Sequence, residues 1–457
     1  MSELLANAPR FLLGGTASGT GKTTVTCAIL QALVSRENQV AALKCGPDYI
    51  DPMFHREIIG AQSGNLDVFL CGERGVPFLL AKNSRGCRVS VIEGVMGYFD
   101  GISFDSDAGS SFQIARLTRT PAVLVANVRG MGRSAKALLR GFQQESGGTL
   151  RGVIFNRCSA AMAAGYRELA ESLGMRCYGF LPPMPEASFE SRHLGLVTAA
   201  ELPDLRGKLQ ALGRAAEEWI DLDGLLALAD EAPPLVYEDL WAGISGRYPV
   251  RIGVAKDRAF CFCYPDNLAL FQELGAELCF FSPMEDRALP PRLDGLYLCG
   301  GYPEENLEAL SRNHAMRQGI RRAVEEGTPT LAECGGFLYL LQSMAGKDGA
   351  PHPMAGTLPG AGHMTTRLNR FGYQTLRART DNLLCGEGDI LPAHEFHYSD
   401  STNNGEGFDC EKNGKAWRCG HASGTMVAGY PHFHFGGRPE LAERFLARCL
   451  VFQKRDQ

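Results

Sequence analysis

No Cys-x-x-Cys pair occurs among the 15 cysteines of this 457-residue chain, and the nearest two, Cys261 and Cys263, bracket a single residue. That spacing matches no common zinc site. An odd number of cysteines scattered along a long chain also makes a poor disulfide framework. The expectation is a reducing compartment in which most thiols act as small buried apolar groups. No run of about 18 apolar residues is present, which excludes a hydrophobic membrane-spanning helix. Residues 1–10 lack a basic stretch followed by a long apolar one, so no secretory signal is read and the cytoplasm is the expected location. Basic residues are not in excess either. The 46 Lys and Arg face 51 Asp and Glu, for a net charge of −5. No basic stripe stands out, so a nucleic-acid partner is not expected.

What is present is a globular composition, 45% hydrophobic and 21% charged, on a chain long enough for two or three domains. Phe11 to Leu13, Val40 to Lys44, Val89 to Ile92, Ala122 to Val128 and Val153 to Phe155 read as short buried strands. Between the first two, Val25, Ile29 and Leu33 mark one apolar face of a helix over Thr23 to Ser35. Repeated strand–helix units predict a doubly wound parallel sheet. A second series has strands at Val250 to Val254, Glu277 to Phe281, Gly295 to Leu298 and Thr328 to Ala332. Its helices are expected at Asn267 to Leu274, Glu304 to Glu326 and Phe337 to Met344. Pro233, Pro234, Gly243 and Gly246 lie between the two series. Domains are therefore expected at 1–235 and 249–457, with a linker at 236–248. Residues 401–415 are polar and rich in Gly and Asn, as a surface hairpin or loop would be.

The first strand runs into Gly14-Gly15-Thr16-Ala17-Ser18-Gly19-Thr20-Gly21-Lys22-Thr23-Thr24 and then the helix. Glycines let backbone N–H groups turn inward around phosphate oxygens, and the helix N-terminus adds partial positive charge. Lys22 is expected on the terminal phosphates of ATP and Thr23 on Mg²⁺. The usual first glycine of such a loop is replaced by Thr16, with Gly15 one residue earlier. Glu93 and Asp48 follow predicted strands and are candidate Mg²⁺ ligands with Thr23. The bland alternative for either acid is a solvated turn residue.

Ala332-Glu333-Cys334-Gly335-Gly336 passes from a strand straight into a helical pattern. That is the layout of a nucleophile elbow, in which a tight turn between small residues lifts the nucleophile out of the sheet. The helix behind it is expected to lower the thiol pKa. His432 and His434 are the candidate bases, on one face if their segment is a strand. Gly300 and Gly301 could offer backbone N–H groups to a tetrahedral oxyanion.

Taken together, GTASGTGKTTVT, KCGPDYIDPMFH, NLDVFL, EGVMGYFDG, GVIFNR, RHLGL, AFCFCYPDNL, FFSPMED, CGGYPE, AECGGFLYL, EFHYS and HFHF resemble the cobyrinic acid a,c-diamide synthase family. These are glutamine-dependent enzymes of cobalamin biosynthesis. The resemblance spans nearly the whole chain. It implies an α/β protein with an N-terminal P-loop domain like that of dethiobiotin synthetase, which shares the shifted glycine, and a C-terminal triad-type glutaminase domain. Cys334 and His432 match the family's nucleophile and base. Triad glutaminases usually carry a glutamate two residues after the histidine, and this chain has His434 there, which leaves a Cys–His dyad. Asp48, Tyr49, Ile50, Glu93 and Asp100 lie in the family segments that border the reacting carboxylate.

The implied chemistry takes ATP, Mg²⁺, L-glutamine and a corrinoid or related tetrapyrrole. A homodimer is carried as an expectation for the assembly. Sirohydrochlorin, in nickel or iron form, and hydrogenobyrinic acid are alternative acceptors. A P-loop switch protein with an inactive glutaminase-like module is the non-enzymatic alternative.

Overall fold

The structure, a computed structural model, describes residues 3–185, 205–412 and 414–455. The RHLGL stretch lies outside the described residues. The chain divides into two compact units, 1–239 and 240–457.

In the first unit seven parallel strands form one sheet. Their order is Gln62–Leu66, Val40–Cys45, Val89–Glu93, Arg10–Gly15, Ala122–Asn127, Leu150–Asn156 and Arg176–Leu181. Arg10–Gly15 and Val40–Cys45 are buried at every position, as strands covered on both faces must be. Even Arg10 is fully buried. Its guanidinium donates to Thr120 Oγ1 at 3.1 Å and to the carbonyls of Ala8, Thr118 and Pro233 at 2.8, 2.7 and 3.0 Å, which offsets the desolvation of its charge. Two strands, Gln62–Leu66 and Arg176–Leu181, had no sequence expectation; both sit at sheet edges, and QSGNL is largely polar. Helix Lys22–Ser35 packs against helix Leu205–Trp219, where Gly213 allows close approach: a Cβ there would stand 2.7 Å from Gln31 Cγ.

Part of the expected linker is ordered structure. Leu235–Glu238 pairs antiparallel with Glu3–Ala6 and belongs to the first unit.

The second unit holds a six-stranded sheet in the order Glu277–Phe281, Arg251–Ala255, Gly295–Leu298, Thr330–Glu333, Met426–Gly429 and His421–Ala422. The first five are parallel and the last is antiparallel. A second sheet is built around the long strand Leu358–Ala378 and its antiparallel partner Ile390–Ser401. The polar 401–415 region feeds a hairpin of Phe408–Lys412 and Lys415–Cys419.

Two helix expectations need correction. Residues 304–326 are a 3-10 turn, Pro303–Glu305, then helices Leu307–Arg312 and His314–Glu325. The break is at Asn313, whose side chain accepts from Met316 N and donates to the carbonyls of Pro283 and Asp286. The helix expected over 337–344 ends at Leu340, and Leu341–Ala345 joins the second sheet beside Leu358–Ala378.

Candidate active sites

Register builds the phosphate end of the first unit. Glu93 pairs with Leu13 on one side and Lys44 on the other, so its carboxylate and the Lys44 ammonium emerge together at the carboxyl edge of the sheet. The loop between strand and helix needs its glycines. Gly21 has φ 87, and a Cβ there would lie 2.1 Å from Asn156 Nδ2, which donates to Thr20 O at 2.8 Å. A Cβ on Gly15 would stand 2.7 Å from Thr20 Oγ1 and 2.9 Å from Lys22 Nζ, so Gly15, Thr20 and Lys22 converge. Gly19 has φ 74. Thr16, Ser18 and Thr24 lie in the same strand–loop–helix segment. The Lys22 ammonium donates to Met96 O. Burial, then repulsion from Lys44, lowers its pKa to about 8.

Thr23 Oγ1 donates to Glu93 Oε1 at 2.7 Å and lies 3.4 Å from Asp51 Oδ2. Lys44 Nζ bridges the same two acids, at 2.5 Å to Asp51 and 2.8 Å to Glu93. All three charged groups are buried. Burial opposes the Lys44 charge, but Asp51, Glu93 and Asp48 outweigh it and raise the lysine pKa. Burial and Glu93 raise Asp51. Against its own burial, Glu93 is held low by Lys44 and His55.

Asp51 and Lys44 were not singled out from sequence. Asp48, which was, turns its carboxylate to the Ile50 and Asp51 amides at 2.8 and 3.4 Å and starts the short helix Ile50–Phe54. Ile50 is buried, and Asn65 holds the loop through the carbonyls of Gly46 and Asp48. Tyr49 precedes this helix. Asp100 accepts from Gly97 N at 2.9 Å, the bond of a turn residue. Among the described residues no group of three or more His, Cys, Asp or Glu could hold a metal. One hydroxyl and two carboxylates nonetheless fit Mg²⁺, which commonly takes one or two carboxylates and fills its shell with phosphate oxygens and water. Asp51 Oδ1, buried and without a hydrogen-bond partner among the described residues, is the kind of acceptor such an ion would satisfy.

In the second unit Glu333 pairs with Gly429, and Cys334 N donates to Gly429 O at 2.7 Å. The chain then turns sharply, with Cys334 at φ 47 and ψ −102, a conformation non-glycine residues avoid. The small neighbours are required. A Cβ on Gly336 would lie 2.0 Å from Leu298 O, and one on Gly335 3.0 Å from Gly301 N. The Gly301 amide thus faces the elbow. A Cβ on Gly300 would meet His432 Cε1 at 2.5 Å, which places the imidazole against the same loop.

The thiol is not activated in the way its helix suggested. Burial raises the Cys334 pKa, Glu304 and Glu395 raise it further, and the Gly335 N–H does not compensate. The helix behind the elbow, Gly335–Leu340, is only six residues long.

His432 and His434 are not on a strand: Met426–Gly429 ends before them, and His432 makes only an isolated bridge to His394. The two rings have different surroundings. His432 Nδ1 lies 3.2 Å from Glu333 Oε2. His434 Nδ1 accepts from Gly436 N at 3.2 Å, and its Nε2 is 3.6 Å from Asp266. A third pair comes from EFHYS: His397 Nε2 lies 2.9 Å from Glu395 Oε2, and its ring stacks 3.8 Å from that of Tyr430. A carboxylate therefore stands beside His432 at Glu333, next to Cys334, although position 434 carries none. Its identity was visible in the sequence; its direction was not.

Residues 11–196 match the CobQ/CobB/MinD/ParA nucleotide binding domain, and residues 251–440 the CobB/CobQ-like glutamine amidotransferase domain. Three proteins named cobyrinate a,c-diamide synthase are similar over nearly their whole length. That of Thermoplasma volcanium is 36% identical, covering 98% of this chain and 98% of its own. That of Priestia megaterium is 35% identical, covering 97% and 98%. That of Syntrophotalea carbinolica is 37% identical, covering 96% and 98%.

Proposed function

The chain belongs to the cobyrinate a,c-diamide synthase family of glutamine-hydrolysing ligases, and from that premise we propose that it amidates the a and c acetates of cobyrinic acid with ATP and glutamine. A carboxylate resists amidation because its leaving group would be oxide. One acetate oxygen attacks the γ-phosphorus of ATP, ADP departs, and an acyl phosphate forms. The P-loop amides and Lys22 bind the phosphates, with Lys22 stabilising charge on the transferred group. Thr23, Glu93 and Asp51 would hold Mg²⁺, which supplies further neutralisation of that charge. In this reading Asp48 shapes the loop that presents Asp51, and Tyr49, Ile50 and Asp100 border the acceptor.

Cys334 attacks the glutamine carboxamide while His432 accepts the thiol proton. The Gly300 and Gly301 amides receive the oxyanion. Ammonia leaves, and water releases glutamate from the thioester. Ammonia, delivered unprotonated, attacks the acyl carbon, and phosphate departs.

The observation that carries the reading is the Cys334 backbone. A buried structural thiol has no use for a strained positive-φ backbone followed by two glycines, whereas a nucleophile does. The test offers cobyrinic acid, hydrogenobyrinic acid and sirohydrochlorin separately with ATP and glutamine, and follows the mass change per amide. Two successive amides on cobyrinic acid are expected. Conversion of sirohydrochlorin alone would overturn the assignment of substrate.

A further inference from the structure

We propose that Glu333 is the positioning carboxylate of the glutaminase: it holds the His432 imidazole in the tautomer and direction in which it accepts the Cys334 proton. The inference rests on the reading of Cys334 as the nucleophile.

The sheet itself sets up the pair. Glu333 is the last residue of Thr330–Glu333 and is in register with Gly429, the last residue of the neighbouring strand. Three residues further along that second chain segment comes His432. Its backbone is fixed by reciprocal bonds with His394, His432 N to His394 O at 2.9 Å and His394 N to His432 O at 3.2 Å. With the backbone pinned, Nδ1 faces Glu333 Oε2 at 3.2 Å, and both side chains are buried. Nδ1–H donates to the carboxylate, which makes Nε2 the basic nitrogen. Two other buried acids, Asp266 and Glu395, are paired with other rings, Asp266 with His434 and Glu395 with His397. The carboxylate usually found two residues beyond the base has thus been replaced by one immediately before the nucleophile. Burial raises the Glu333 carboxyl, and His432 together with the Phe433 amide and Tyr297 pulls it back towards its charged form.

The test compares the full chain with Glu333→Gln, which keeps shape and loses charge. Glutaminase kcat should fall roughly a hundredfold or more, with KM for glutamine within about threefold. Amide synthesis from ammonium salts should stay at the unsubstituted rate. A glutaminase kcat within about twofold of the unsubstituted chain would overturn the proposal. Should the variant fold poorly, nitrogen NMR of ¹⁵N-histidine in the unsubstituted chain decides, with His432 identified by difference from His432→Gln. The Nδ1–H tautomer is expected, and the Nε2–H tautomer would overturn it. Cys334→Ala is run alongside. If it keeps glutamine-driven activity, the reading of the nucleophile falls. If it loses that activity while Glu333→Gln retains it, only the role of Glu333 falls.

Discussion

At the scale of single residues, charge pressure on Cys334 is the most testable feature. Burial pushes half-buried Glu304 up to about 7, and its carboxylate opposes the Cys334 thiolate. Above pH 7 Glu304 is ionised and repels the thiolate; below it the group is neutral and the repulsion vanishes. Glu304→Gln should therefore speed alkylation of Cys334 by iodoacetamide above pH 7 and leave it unchanged at pH 6, with labelling followed by peptide mass. Equal acceleration at both values would remove Glu304 as the cause. In the other unit, Lys44→Met leaves Glu93 buried without its ammonium. Breaking such a pair costs about 3–5 kcal/mol, so the urea transition of the first unit should move to lower concentration. A loss below about 1 kcal/mol would contradict the pairing. Sequence reading singled out Thr23 from the P-loop pattern, Glu93 from its place after an apolar strand, Cys334 from its elbow and His432 as one of two histidines in its segment, and the structure sets Thr23 beside Glu93 and His432 beside Glu333. It passed over Asp51 and Lys44 because their meeting depends on a short helix and a strand register. Glu333 stood in plain view, but an acid beside a cysteine has no direction until the elbow gives it one.

At the scale of elements, the elbow depends on glycine for contact as well as conformation. Gly336→Ala would drive a Cβ to 2.0 Å from the Leu298 carbonyl, which is backbone and cannot swing aside. The variant should lower the melting temperature of the second unit and abolish glutaminase activity. An unchanged melting temperature and rate would show that the elbow helix shifts freely. The central strands were legible because parallel strands buried on both faces read as unbroken apolar runs. Gln62–Leu66 was not, because an edge strand can be polar. The break at Asn313 was missed because the helical pattern continues through it, and only the asparagine's capping bond to Met316 N reveals a new start. Phe337 to Met344 misled for a related reason: a short apolar run suits helix and strand equally, and here it contains both.

At the scale of the whole molecule, the chain forms two compact units, with the glycine-rich loop in residues 1–239 and the cysteine elbow in 240–457. The sequence conveyed this division because two separate strand series meet near residue 240. It conveyed less about the boundary, where Leu235–Glu238 pairs with Glu3–Ala6 in a separate two-stranded sheet of the first unit. Among the described residues no helix is long and apolar enough to cross a membrane. The division predicts separable losses. Lys22→Ala should stop amide synthesis whether nitrogen comes from glutamine or from ammonium, read as ADP and amide formed together. The most direct test is amide synthesis by Cys334→Ala with each nitrogen source in turn. The account predicts no product from glutamine and undiminished product from ammonium salts. Loss of both, or retention of glutamine-driven synthesis, would contradict it.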